Sequence, residues 1–240
     1  MKILVTGSEG NIGSRLFKEL SKNKDYEIFK IDRKLGEEIL QSDLPEVDIV
    51  FHLAAQIEVP FSIKYPLPDA HDNIMSTIKI ANHYRNTNTK IIYTGSAASK
   101  IINNPYGLSK EVGSKYIKLL CKNYVICNLP NIFGSGRGVV ERFKQDNPII
   151  IYGNGRQTRD FVHIDDVIDG LIKAMEWKTG EYDFGSGKSL EVIELAKITK
   201  KKIKFVNGIK GEVFNSIMKN TTPNWKPKIN VLDYLKNVEK

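Results

Sequence analysis

Residues 2–13 read Lys2-Ile-Leu-Val-Thr6-Gly7-Ser-Glu-Gly10-Asn-Ile-Gly13, and the fold turns on these positions. An apolar run stops at Gly7. Ile12, Leu16, Phe17 and Leu20 then recur at helical spacing, so the segment reads as strand, glycine turn, helix. Glycines at such a turn let the backbone bend tightly and approach a pyrophosphate, whose charge then rests at the helix N-terminus. Three glycines also make ordinary turns, and the spacing G-x-x-G-x-x-G differs from the G-x-G-x-x-G fingerprint. The next strand supplies the context. Glu27 to Asp32 (EIFKID) ends in a carboxylate that can accept hydrogen bonds from an adenosine ribose and repel a 2′-phosphate, which favours NAD over NADP. Arg33 beside it argues the other way, because a guanidinium can accommodate that phosphate.

Working outward, Val47 to Ala55 (VDIVFHLAA) reads as a third strand, dense in Val, Ile and Phe as a strand buried on both faces would be. Asn73 to Arg85 has helical spacing through Ile74, Ile78, Ala81 and Tyr84. Lys90 to Thr94 is a fourth strand, Tyr106 to Leu120 a helix and Tyr124 to Leu129 a fifth strand. This alternation predicts an α/β fold built on a doubly wound parallel sheet. The later chain is less regular. Asn147 to Arg159 is turn-rich around Gly153-Asn-Gly155, Asp165 to Trp177 reads as a helix, and Glu181 to Gly187 as a strand entering a loop. Pro223 and Pro227 break up the Lys-rich end. The expected division is a dinucleotide-binding domain over 1–133 plus 160–186, and a small C-terminal α+β substrate lobe over 134–159 plus 187–240.

The 240 residues are 41% hydrophobic and 27% charged, which excludes disordered and fibrous chains. No apolar run approaches the roughly 18 residues of a membrane span. The run ending at Gly7 is too short for a signal peptide, so a cytoplasmic setting with no membrane partner is expected. Thirty-six Lys+Arg against 28 Asp+Glu give a net charge of +8, a balance that suggests anionic partners. Only seven of those cations are Arg and no nucleic-acid motif is present, so the charge reads as a Lys-rich solvated surface without a nucleic-acid partner. The run Lys197 to Lys204 reads the same way. Cys121 and Cys127 make no disulfide framework and read as reduced packing thiols. His52, His71, His83 and His163 lack metal-ligand spacing, so no metal is expected, and His52 reads as a core or cleft histidine.

The second constellation is Tyr106-Gly-Leu-Ser-Lys110. Residues i and i+4 share a helix face, so the ammonium lies near the phenol. A nearby cation favours phenolate and lowers a tyrosine pKa from its reference near ~10, which yields a general base. Alone, Y-x-x-x-K is also an ordinary surface helix. Its position decides, because the fourth strand runs out into Gly95-Ser96-Ala97 shortly before Tyr106, and ligands bind at the carboxyl ends of parallel strands. Ser96 there can share a hydrogen bond with a sugar hydroxyl and Tyr106.

With these elements in place the sequence resembles the extended short-chain dehydrogenases/reductases, specifically the NAD-dependent epimerase/dehydratase group acting on nucleotide sugars. The elements stand in family order: Thr6-Gly7-x-x-Gly10-x-x-Gly13, Asp32, Phe51-His-Leu-Ala-Ala55, Asn73, Ser96-Ala-Ala, Tyr106-x-x-x-Lys110, Asn131-Ile-Phe-Gly134, Gly153 to Asp166, Phe184-Gly-Ser-Gly187 and Trp225-Lys-Pro227. The resemblance implies a Rossmann sheet with NAD as cofactor. It places the pyrophosphate on Gly7, Gly10 and Gly13, the adenosine ribose on Asp32 and the adenine at Asp43-Leu44, with Asn11, Ile12 and Arg33 also in the cofactor set. Leu53, Ala54, Ala55, Asn73 and Pro130 join the cofactor set. Ser96, Tyr106 and Lys110 become the catalytic set, with Lys110 also on the nicotinamide ribose. Ser96, Asn131, Gln157, Arg159 and Lys210 fall where the family meets the sugar nucleotide. A guanidinium at Arg159 can grip a diphosphate in a bidentate fork. Asp160, Asp165 and Asp166 read as turn and helix-capping residues.

Departures from the family pattern sort the activity. The loops from Ser96 to Tyr106 and from Gly134 to Asn147 are short, and Lys210-Gly211-Glu212 stands where the family has Arg-x-Gly-Asp/Glu. Ala97 and Ala98 follow Ser96 where the dehydratases and decarboxylases carry an acid, which argues against elimination chemistry. The resemblance therefore implies an NAD-dependent epimerase, most like one inverting C4 of a UDP-hexose through a transient 4-keto sugar. A nucleotide-4-keto-sugar reductase using NAD(P), or a non-catalytic dinucleotide-binding regulator, stays open. Family members also pair two helices per subunit into a homodimer, here the helices at Asn73 and Tyr106.

Overall fold

The computed structural model describes residues 1–208 and 211–236. Lys2–Thr6 forms β1, and the glycine turn leads into helix α1, Asn11–Leu20. Strand β2 is Glu27–Ile31, followed by a 3-10 turn at Arg33–Leu35, and β3 is Ile49–His52. The expected third strand is thus confined to its most apolar four residues, while Leu53 to Ala55 leave the sheet as a loop. Helices α2 (Val59–Lys64), α3 (Pro66–Ala70) and α4 (Ser76–Tyr84) follow, α3 and α4 being joined by a π-helical turn over His71–Met75. The helix expected from Asn73 therefore begins earlier. Pro66 and Pro68 do not break it, because in α3's first turn a missing N–H is no loss. Next come β4 (Lys90–Ser96), α5 (Pro105–Leu120) and β5 (Tyr124–Leu129).

The later part holds β6 (Asn131–Phe133), α6 (Val139–Gln145), β7 (Ile149–Tyr152), β8 (Thr158–Arg159), β9 (Phe161–His163) and α7 (Ile164–Lys173). After these come β10 (Gly180–Asp183), β11 (Leu190–Glu191), α8 (Val192–Ile198), β12 (Ile203–Val206) and α9 (Val231–Lys236). Six strands form one all-parallel sheet in the order β10-β5-β4-β3-β1-β2. The strand order reverses between β1 and β3, and in an open α/β sheet the crevice at the carboxyl ends there is the ligand site. Two apolar clusters cover its faces. One gathers Val5, Phe51, Val125 and Leu171, the other Leu4, Val50, Ile80 and Ile126. A third cluster stands apart, built from Phe143, Ile149, Ile151, Leu195 and Leu235 around the parallel β7–β12 pair.

Candidate active site

The glycine turn is shaped by contacts that admit no side chain. Gly7 lies at φ +69°, and a Cβ on it would sit 2.8 Å from the Ala54 backbone. A Cβ on Gly13 would sit 2.0 Å from the Gly7 carbonyl oxygen, so helix α1 packs directly on the turn. Gly10 caps α1 without a side-chain acceptor, leaving first-turn N–H groups for an anion. The Asp32 carboxylate accepts from the backbone N–H of Glu9 at 2.9 Å and of Lys34 at 2.9 Å, which fixes it beside that turn. A pyrophosphate cradle with a fixed ribose acceptor at its edge fits a dinucleotide.

A cavity of about 740 Å³ opens at the carboxyl ends of the strands, and a second of about 220 Å³ adjoins it. Gly7, Gly10, Asp32, Leu53 and Ala55 line both; Asn11, Ile12, Gly13, Tyr106, Lys110 and Pro130 line the larger, with Ser96, Asn131, Gln157 and Arg159. Arg33 and Ala54 line the smaller. The turn and the candidate catalytic residues therefore share one cleft.

Three sequence candidates lie elsewhere. Asp43 and Leu44 line neither cavity, and Leu44 packs against the second apolar cluster instead. Between β2 and β3 the chain forms turns, which bring Glu38 and Ile39 to the smaller cavity in their place. Asn73 is buried behind the cleft, where its amide donates to Asp69, Ser109 and the Gln56 carbonyl while its oxygen accepts from the Gln56 N–H. It holds the loop after β3 against the helices rather than facing the cavity. Lys210 lies outside the described residues.

Ser96 ends β4 and Tyr106 opens α5, whose N-cap is Asn104 with its side chain accepting from Gly107 N–H at 2.8 Å. Asn followed by Pro105 at N1 is a helix-start signal that sequence reading overlooked. The Tyr106 N–H donates to Ser62 Oγ at 3.1 Å, and its phenol shares the cavity lining with Ser96. Burial raises the phenol pKa, the nearby Ser96 hydroxyl opposes that, and the Asp69 carboxylate raises it further. This corrects the expected depression. The Lys110 ammonium lies over the Tyr93 ring, 4.2 Å from the centroid. Burial takes Lys110 itself down to about 7, against the pull of Asp69. His52 is a satisfied core group, bonded to Thr6 Oγ1 at 2.8 Å and Thr77 Oγ1 at 3.0 Å and held at about 3 by burial.

At the other end of the cleft, Arg159 donates to Glu212 at 2.6 Å and to the Thr158 carbonyl at 2.8 Å. Burial lowers its pKa and Glu212 opposes that. Gln157 is buried and donates to the Tyr152 carbonyl, while the backbone N–H of Asn131 donates to the Asp160 carbonyl. Arg137 and Arg142 also line the larger cavity and carry no sequence motif. Asp160, Asp165 and Asp166 have structural partners. Asp160 accepts from the Ser186, Gly187 and Met218 N–H groups, Asp165 pairs with Arg15, and Asp166 accepts from Lys228 and Ile229. Among the described residues no cluster of ligands could hold a metal, and no helix is long and apolar enough to cross a membrane.

One cleft runs from the glycine turn to the Ser96–Tyr106 pair, and that continuity defines the class as an extended short-chain dehydrogenase/reductase. The chain belongs to the NAD dependent epimerase/dehydratase family, whose sequence model matches residues 3–185. A putative UDP-glucose 4-epimerase of Methanocaldococcus jannaschii is 32% identical, the match covering 98% of this chain and 96% of that protein. Its alignment runs over 296 positions against 240 residues here, so the relative carries insertions that this chain lacks. The UDP-2-acetamido-2,6-beta-L-arabino-hexul-4-ose reductase of Pseudomonas aeruginosa is 30% identical over 74% of this chain and 50% of its own length. Among solved structures, the UDP-glucuronic acid 4-epimerase of Bacillus cereus with UDP-glucuronic acid and NAD is 27% identical, with a TM-score of 0.88 over 98% of this chain and 97% of that one.

Proposed function

We propose that this chain is an NAD-dependent epimerase that inverts C4 of a UDP-hexose, with Tyr106 as base, Ser96 as its hydrogen-bonding partner and Lys110 as the cation beside them. The observation that carries the reading is that Ser96, Tyr106 and Lys110 line the same cavity as the glycine turn. Tyr106 takes the proton of the 4-hydroxyl and later returns it, and Ser96 holds that oxygen in line with the phenol. NAD, held by Gly7, Gly10, Gly13 and Asp32, supplies the hydride acceptor and donor when bound. After the 4-keto sugar turns over, its other face is reduced.

Ala97 and Ala98 supply no acid next to Ser96. Among the described residues, the carboxylates lining the larger cavity are Asp32, fixed by the turn, and Glu212, paired with Arg159. Neither is free for an elimination step. Arg159 would grip the diphosphate, with Asn131 and Gln157 beside it. The residues over 134–159 and 187–240 would form the lobe that encloses the sugar. A homodimer would form through α4 and α5, where Met75 just before α4 and Leu108 and Leu119 on α5 are exposed.

Purified protein incubated with NAD and, separately, UDP-glucose, UDP-galactose, UDP-glucuronic acid and UDP-N-acetylglucosamine should invert C4 of at least one by NMR. Tyr106→Phe should abolish that inversion while NAD still binds. Turnover of none, or full activity in Tyr106→Phe, would sink the reading. A reductase, favoured by the Pseudomonas relative, would instead consume reduced dinucleotide with a 4-keto substrate and show no inversion.

A further inference from the structure

The smaller cavity holds an arrangement that the glycine turn and Asp32 do not explain. Its lining includes Arg33, Glu37, Glu38, Ile39 and Asp72, and it joins the larger cavity at Asp32. That junction is where a group on the adenosine ribose would lie, because Asp32 is the ribose acceptor. Arg33, the next residue, starts the 3-10 turn that Asp32 caps. A guanidinium at this place is the group best suited to a 2′-phosphate.

Arg33 is already engaged. Its Nη1 donates to Asp72 Oδ2 at 2.9 Å, its Nη2 donates to Asp72 Oδ1, and its Nε lies 3.3 Å from Glu38 Oε1. All three nitrogens of the fork face carboxylates. Asp72 comes from the π-helical turn between α3 and α4, so a residue distant in sequence holds the guanidinium. The Asp72 side chain is 17% exposed and Arg33 56%, so the carboxylate end of the pair is the one held away from solvent. The other cation nearby, Lys34, donates to the Glu9 carbonyl at 3.0 Å.

We propose that Asp72 and Glu38 are specificity-determining residues: they clamp Arg33 away from the ribose, so that discrimination against a 2′-phosphorylated dinucleotide depends on this clamp as well as on Asp32. The proposal rests on the dinucleotide reading of the cleft, but not on which sugar is turned over. A phosphate arriving at Asp32 meets carboxylates on Asp32, Glu37, Glu38 and Asp72, and the one fork that could bind it is occupied. NAD presents a hydroxyl there and needs no guanidinium.

Calorimetric titration of NAD⁺ and NADP⁺ into the purified protein, at one fixed low ionic strength, tests the clamp without any sugar substrate. The variant Asp72→Asn/Glu38→Gln should bind NADP⁺ at least about tenfold tighter than wild type, the size of one charge-assisted hydrogen bond. Its NAD⁺ affinity should stay within about threefold. Adding Arg33→Ala should erase the NADP⁺ gain. Unchanged NADP⁺ affinity in the double variant, or a gain that survives Arg33→Ala, overturns the clamp. Should the double variant fold poorly, Glu38→Gln alone, at a side chain 40% exposed, should give a smaller gain of the same sign, and no gain counts against the clamp. A wild type that binds neither dinucleotide would overturn the cofactor reading itself; one that binds NAD⁺ with no NADP⁺ gain in the variants overturns only the clamp.

Discussion

Asp69 faces the two groups on which proton transfer would rest. It is 1% exposed and accepts from Gln56 Nε2 at 2.7 Å and Asn73 Nδ2 at 3.1 Å, so its carboxylate is fixed behind the cleft. Its charge raises the pKa of both Tyr106 and Lys110. Asp69→Asn keeps an acceptor oxygen for Gln56 and removes the charge. Both pKa values should then fall, since an anion stabilises a protonated lysine and opposes a phenolate. Proton abstraction by phenolate would set in at lower pH, and Lys110, already near 7, would lose its proton at lower pH as well. The activity profile should therefore move to acid as a whole. NMR titration of Lys110 in the variant reads the same shift without turnover. An alkaline displacement of either would contradict the electrostatic role assigned to Asp69. No motif marks this residue, because a carboxylate on a helix reads in sequence as a solvated one. Its place beneath Tyr106 depends on α3 packing against α5.

Helix α5 presents an inner face to the cavity and an outer face to solvent. The inner face carries Tyr106 and Lys110 to the cavity and brings Gly113 under Tyr93, where a Cβ would sit 2.6 Å from the phenol oxygen. The outer face leaves Leu108 at 48% and Leu119 at 80% exposure, beside Met75 at 50% near the start of α4. Exposed apolar side chains on adjoining helices suit a helix-pairing contact between copies. Light scattering should give a dimer for the wild type and a monomer for Leu108→Asp/Leu119→Asp with cofactor affinity retained. A monomeric wild type would remove the dimer. The first five parallel strands and the glycine turn were readable because each is a local pattern, an apolar run rich in Ile, Val and Phe. Strands β7 and β12 were not. Each is four residues long and acquires its identity by pairing Ile149 with Ile203 and Ile151 with Phe205, 54 positions apart in the chain. Helix α8 was missed because its capping box is built from Glu191 and Glu194, without the Ser or Thr that usually announces one.

Across the whole molecule, the six-stranded sheet must be joined to the chain that covers the far end of the cleft, and Asp160 makes that joint. It lies between β8 and β9 at 0% exposure. Its carboxylate accepts from Ser186 N–H at 3.1 Å, Ser186 Oγ at 2.5 Å, Gly187 N–H at 3.3 Å and Met218 N–H at 3.3 Å. Its carbonyl accepts from the Asn131 N–H at 3.0 Å. One residue thus ties the loop after β10, the strand after β5 and the segment near Met218 into a single frame. Neither cavity is lined by Asp160, yet its neighbour Arg159 and its partner Asn131 both line the larger one. Replacing the carboxylate by Asn turns two acceptor oxygens into one and points an amide N–H₂ at buried donors. The cost should be about 2–4 kcal/mol of unfolding free energy. For a chain of this size that is a fall of about 5–15 °C in Tm. NAD affinity should stay within about threefold, because the glycine turn and Asp32 sit on the opposite side of the sheet's switch point, whereas KM for the sugar nucleotide should rise with the loosened Asn131 and Arg159. Differential scanning calorimetry beside cofactor titration separates these effects. An unchanged Tm would show that the joint is held elsewhere. Loss of NAD binding at an unchanged Tm would place Asp160 in the cofactor site, against the geometry.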